Sequence, residues 1–219
     1  YIATALKGKK VAIVHDKTTY GKGLADETKK AMNAKGVTEV LYEGINTGEK
    51  DFSALVGKIK ASGAEYLYWG GLHTEGGLIV RQMRDQGVKT VLIGADGIAT
   101  DEYAAVAGPG AEGTLMTFAP DPQRRPEAQV VLKKFEARKF KPEAYTLYSY
   151  AALEIIAAAA NEAKANDAKK TAEVMRSGKP FKTVIGDIGF DKKGDITRPD
   201  YVMYTWKKAA DGKITYVQN

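Results

Sequence analysis

The chain has 219 residues, 44% of them hydrophobic, enough for one large domain or two small ones with an ordinary core, which argues against disorder. Its 33 Lys and Arg exceed 27 Asp and Glu, but the cations stand singly and in pairs along helix faces, the pattern of a solvated surface and not of a nucleic-acid footprint. There is no cysteine, which excludes disulfides, thiol catalysis and cysteine-based zinc sites.

The opening YIATALKGKK carries neither Met nor the charged-then-apolar pattern of a signal peptide, so residue 1 is expected not to be the natural start. From Lys9 to Pro120 short β-branched or aromatic runs alternate with helical patterns: VAIVHD, TEVLYEG, EYLYWGG, TVLIGAD and GTLMTFA. Between the second and third runs, Phe52, Leu55, Val56 and Ile59 fall on one helix face. Gly36, Gly63 and Gly87 each close a helical pattern where a left-handed residue is wanted. These are repeated βαβ units, and they predict a parallel sheet covered by helices on both sides.

After Pro120 the pattern changes. DPQRRP is a polar, proline-bounded connector, and helices are expected over Glu127–Phe140, Glu143–Ala163 and Asp167–Ser177 with no strand between them. The apolar stretch Tyr150–Ala160, interrupted by Glu154, is far short of the roughly 20 residues that span a bilayer and reads as a buried helix. Tyr148, Ala151, Ala152, Ile155 and Ala159 form its apolar face. FKTVIGDIGFD and YVMYTWKKAADGKITYV then read as β structure, the latter turning at Asp211-Gly212. Helices without strands of their own need a sheet from elsewhere, so a complete lobe is followed by a partial one.

In an open parallel sheet, ligands sit beyond the carboxyl ends of the strands. After the first run comes HDKTTYGKG. Six residues, His15 to Tyr20, separate the strand from Gly21, and the third glycine of a dinucleotide fingerprint is replaced by Asp26. A phosphate loop is therefore disfavoured, and Gly21 and Gly23 read as a flexible helix entry. After the third run, YWGG offers either a close backbone approach or a tight turn. After the fourth, Asp96 stands at the mouth of the sheet, either capping a turn or poised to meet an ammonium group. His15 and His73 sit in no catalytic pattern and read as strand-end or loop residues. The residues favour binding over catalysis, with no metal site and no cofactor.

VAIVHDKTTYGKGLADETKKAM, GINTGEKDFSALVGKIKASGAEYLYWGG, EGGLIVRQMRDQG, IGADGI, YTLYSYAAL and FDKKGD together resemble the periplasmic branched-chain amino-acid (Leu/Ile/Val) binding proteins of ABC importers, over essentially the whole chain. The resemblance implies an α/β, type I periplasmic-binding fold: two Rossmann-like lobes, each a parallel sheet flanked by helices, trapping a ligand in the cleft between them. It implies that roughly the N-terminal third is absent. Residues 1–118 with 200–219 would form the second lobe, complete, and 119–199 the returning part of the first, incomplete. It further implies that Tyr20 closes over the ligand, that Asp96 receives its ammonium where relatives carry Glu, and that Tyr145 lines the side-chain pocket. Leu72 departs from the pattern, since some relatives place a tyrosine there.

The function implied is capture of a branched-chain or other aliphatic amino acid in the periplasm and its delivery to a membrane permease. Alternatives are another small ligand on the same scaffold, such as an amide or aromatic acid, a nucleotide-dependent α/β enzyme using Gly21–Gly23, or a receptor's sensory domain. The chain by itself is expected to bind ligand weakly or not at all. Its strandless helices are expected to expose apolar faces, such as that of Ile155 and Ala159, and so to drive dimerisation or segment swapping.

Overall fold

The computed structural model describes residues 1–219, and strand β1 (Val11–His15) lies at its heart, buried along its whole length. It is flanked by β2 (Leu41–Gly44) and β3 (Tyr66–Gly70), followed outward by β4 (Val91–Gly94) and β5 (Leu115–Phe118), all parallel. The antiparallel strands β8 (Val202–Lys208) and β9 (Ile214–Gln218) complete a seven-stranded sheet in the order β2-β1-β3-β4-β5-β8-β9. Asp211-Gly212 turns the last hairpin: Gly212 takes φ +83°, and the Asp211 side chain accepts from the Lys213 N–H at 3.0 Å. These strands and their helices, residues Tyr1–Phe118 and Val202–Asn219, form one unit; Ala119–Tyr201 form another.

In the first unit the register sorts side chains to two faces. Val11 pairs with Tyr66 and Ile13 with Tyr68, and this face packs on Ala25 and Met32 of helix α1 (Thr19–Asn33). On the opposite face Ala12, Val14, Leu67 and Trp69 are all buried, with Trp69 lying against Gly76 of helix α3 (His73–Asp85), which contacts helix α2 (Ser53–Ser62). A strand buried on both faces has no polar side, which is why VAIV reads as a continuous apolar run. Gly63 ends α2 at φ +66°, and Gly87 follows α3 at φ +68°. Helix α4 (Asp101–Ala107), capped by Thr100, brings Tyr103 against Trp206 of β8, their rings 5.0 Å apart.

In the second unit, the proline-bounded connector makes 3-10 turns at Pro122–Arg124 and Pro126–Ala128. Helices α5 (Gln129–Ala137), α6 (Thr146–Ala163) and α7 (Ala168–Met175) follow, then the hairpin of β6 (Phe181–Thr183) and β7 (Gly186–Ile188). Asp191 closes the FDKKGD turn by accepting from the N–H groups of Lys193, Gly194 and Asp195 at 2.8–2.9 Å, and these bonds hold its carboxyl below the usual range.

One expectation about α6 is overturned. Ile155 and Ala159 are not exposed: they are buried with Phe181, and Val174, Met175, Ile188 and Phe190 pack around them. Leu147 and Ala151 are likewise buried, against Ala128, Val131 and Val184. The hairpin β6–β7 thus covers a face that the absence of a local sheet had left bare. The α6 side chains left in solvent are Leu153, 68% exposed, and Ile156, 49% exposed, with Ala152 and Ala157 beside them.

Candidate functional site

The parallel strands run in the order 2-1-3-4-5, so the chain reverses its direction of travel across the sheet at β1 and β3. The crevice beyond the carboxyl ends of those strands is where such sheets bind ligands. Three loops are knit together there. The Asp16 N–H donates to the Gly70 carbonyl at 3.0 Å, joining the ends of β1 and β3. The Thr47 hydroxyl donates to the Asp16 carbonyl at 3.1 Å, fastening the loop after β2. The buried Glu75 carboxylate of α3 accepts from the Gly48 N–H at 3.0 Å. Trp69 holds the loop after β3 by donating its indole N–H to the Leu72 carbonyl at 3.0 Å.

On this frame the Tyr20 hydroxyl donates to the Asp96 carboxylate at 2.9 Å, joining the first turn of α1 to the 3-10 turn after β4. Burial, and then the adjacent Asp96 charge, push the Tyr20 phenol well above its ordinary value, so it stays a donor. Gly97 is required at this junction. A Cβ there would stand 2.7 Å from the Gly71 carbonyl, 3.0 Å from the Tyr20 hydroxyl and 3.3 Å from Leu72. Tyr20, Leu72 and Asp96 therefore converge, Tyr20 39% and Leu72 48% exposed. Tyr145 lies in the second unit, 45% exposed, immediately before α6.

Gly21 is not the flexible helix entry that its sequence context suggests. It lies within α1 and is buried, its N–H taken by the Thr18 hydroxyl at 2.9 Å, and a Cβ on it would meet the Gly70 carbonyl at 2.3 Å. Gly23 has open space around it. With that N–H engaged and the Asp16 and Asp96 carboxylates nearby, the helix start is unsuited to a phosphate. His15 closes β1; its Nδ1 accepts from the Lys17 N–H at 3.0 Å, and burial holds its pKa below 6.5. His73 begins α3 and pairs with Glu102 at 2.8 Å.

Sequence reasoning overlooked Asp16, Thr18, Glu75 and Gly97, which build the frame. The Asp-Gly pair at 96–97 and the Thr18 cap were visible signals; the Glu75 bond, spanning 27 residues, had none. Chemically, the site offers an anionic acceptor held by a neutral phenol beside an exposed aliphatic side chain. That combination suits a small solute bearing an ammonium and an apolar body.

The comparisons with known proteins agree with one another. The "Leu/Ile/Val-binding protein homolog 1" of Brucella melitensis is 56% identical over 218 residues, which cover all of this chain and 59% of that protein. The chain thus spans about three fifths of the length of the curated relatives it matches. A leucine-binding protein of Thermotoga maritima superposes with a TM-score of 0.85 at 24% identity, over 99% of this chain and 62% of that one. A solute-binding protein of an ABC transporter from R. palustris, crystallised with 4-hydroxybenzoate, gives 0.84 at 20% identity, over 100% and 61%. These structures share the type I periplasmic-binding fold seen here. The model of the family described as "Periplasmic binding protein" matches residues 1–213, and the chain belongs to that family.

Proposed function

We propose that the chain is the larger part of an extracytoplasmic solute-binding protein that captures a branched-chain or other aliphatic amino acid in the periplasm and hands it to an ABC importer's permease. The observation that carries this reading is the Tyr20–Asp96 pair, which joins the carboxyl ends of β1 and β4 beside the sheet's switch point. A carboxylate accepts through two oxygens, so it can hold the phenol and an ammonium together. Tyr20 then closes over the bound solute, and Leu72 offers it an aliphatic contact. Tyr145 is assigned to the side-chain pocket on the family resemblance. The name and 56% identity of the Brucella relative support the ligand class. The protein acts as a binder, without catalysis, cofactor or nucleic acid.

The test is thermal unfolding with leucine, isoleucine, valine, alanine, glutamate or NAD, on the chain alone and carried at the full length of its relatives. A ligand that binds only the folded state raises the midpoint with the logarithm of its concentration. A rise at full length with aliphatic amino acids alone is the expected result, with little or none for the 219 residues alone. A rise with NAD alone would overturn the reading. A second reading, an aromatic acid, is favoured by the fold likeness to the protein crystallised with 4-hydroxybenzoate. Asp96→Asn separates the two, because it weakens an ammonium-bearing ligand and relieves repulsion of a plain carboxylate.

A further inference from the structure

The second unit concentrates positive charge. Between Lys133 and Lys141 the sequence KKFEARKFK sets five cations against one carboxylate, so nine residues carry four of the chain's six net positive charges. Some lysines elsewhere are tied down: Lys9 to Glu65, Lys22 to Asp26, Lys58 to Glu43 and Lys179 to Glu162, at 2.5–2.8 Å. None of the ion pairs reaches Lys133, Lys134, Arg138, Lys139 or Lys141.

Three of these cations, Lys133, Lys139 and Lys141, and one carboxylate, Glu136, border a shallow groove of about 530 Å³ whose apolar lining comes from Leu132, Phe140 and Pro142. The wall is rigid. After α5 the Lys139 N–H donates to the Glu136 carbonyl at 2.8 Å and the Phe140 N–H to the Phe135 carbonyl at 3.0 Å, the paired bonds of a Schellman turn. Phe140 stacks on Phe135 with ring centres 5.4 Å apart, yet half of it stays in solvent. The left-handed position of that turn, φ +55°, is held by Lys139, where glycine would be the more stable choice. Lys139 is one of three lysines at positive φ, with Lys17 and Lys164, and it alone of the three stands on the groove's edge.

We propose that this groove docks an acidic amphipathic segment of a partner protein, its carboxylates on Lys133, Lys139 and Lys141 and one apolar side chain against Leu132 and Phe140. Charge complementarity sets the sign of the partner, three cations against the single carboxylate of Glu136 on the groove's border. Lipid headgroups would meet the bordering cations alone, whereas a peptide also lays an apolar side chain on Leu132 and Phe140 between them.

The test uses a fluorescent 12-residue peptide of repeating Glu-Glu-Leu, its Lys-Lys-Leu counterpart, and vesicles containing phosphatidylglycerol. The acidic peptide binds and the basic one does not. K139E/K141E weakens binding by about tenfold or more, while the equally charged K207E/K208E on β8 changes it by no more than about twofold. F140S, which leaves charge untouched, weakens it by about fivefold. K139G provides the check against simple misfolding: it raises the unfolding midpoint and still weakens the peptide. Equal loss from the two charge reversals, no effect of F140S, a lowered midpoint for K139G, or vesicle binding as strong as the peptide's would each overturn the proposal.

Discussion

Asp96 is charged and half-buried, and the Tyr20 hydroxyl fixes one of its oxygens at 2.9 Å. Replacing it with Asn keeps the shape and removes the charge, which should cost an ammonium-bearing ligand about 2 kcal/mol, or roughly thirtyfold in affinity. Tyr20→Phe removes a single bond and should cost about 1 kcal/mol, roughly fivefold. Calorimetric titration with isoleucine, on the chain carried at its relatives' full length, reads both; equal effects would mean that Asp96 meets no cation. His15 sets a different, pH-dependent expectation. Burial first, then the nearby Lys22 charge, hold its pKa below 6.5, and its Nδ1 must be unprotonated to accept from Lys17. The unfolded chain therefore takes up the proton first as pH falls. The stability that neutral His15 contributes is complete above 6.5 and is lost in the window between 6.5 and its lower folded value. Unfolding midpoints measured from about pH 7 to about pH 5 should fall less steeply for His15→Gln than for the parent; identical slopes would remove His15 as a cause.

Element by element, what was legible in the sequence depended on contrast. The runs VAIVH, YLYWG and VLIG are apolar between polar helices, so β1, β3 and β4 could be placed almost to the residue. Helix α6 had no such contrast. Its periodicity put Ala151, Ile155 and Ala159 on one face, and these are the residues buried, but with alanines making nearly every side apolar nothing in the sequence said that the β6–β7 hairpin covers that face and leaves Ile156 in solvent. The site was less legible still. The bond from Tyr20 to Asp96 joins residues 76 apart, and before folding only family resemblance linked them. The contact of α1 with β3 was half legible: the glycines of YWGG allowed a close backbone approach, whereas Gly21 read as freedom when here it marks closeness. A Cβ on Gly70 would lie 2.2 Å from the Gly21 carbonyl oxygen, backbone that cannot step aside. Gly70→Ala should therefore lower unfolding stability by about 3 kcal/mol in a urea titration, whereas Gly23→Ala, in open helix, should be neutral or slightly stabilising. Similar values for the two would show that α1 can shift away without penalty.

At the scale of the whole molecule the unanswered surface is the other side of α6. Leu153 and Ile156 stand 68% and 49% exposed, Ala152 and Ala157 flank them, and the helix carries only Glu154 and Glu162 as charges in its 18 residues. Glu154 is turned inward, accepting from the Val184 N–H at 2.9 Å, so it does not guard this face against association. The helix is not a membrane span: no helix of the chain is long and apolar enough to cross one. An uncharged face of leucine, isoleucine and alanine in water favours contact with its own kind, so the 219-residue chain by itself should self-associate through paired α6 faces. Sedimentation velocity at rising concentration should show dimers for the parent. Leu153→Glu with Ile156→Lys should give monomers whose unfolding midpoint matches the parent's at low concentration, because neither side chain is part of the core beneath. Charge reversal at Lys139 and Lys141 should leave the association as it was, since those residues lie on the cationic groove. A parent that stays monomeric, or dimers that survive the α6 changes, would move the interface off this helix.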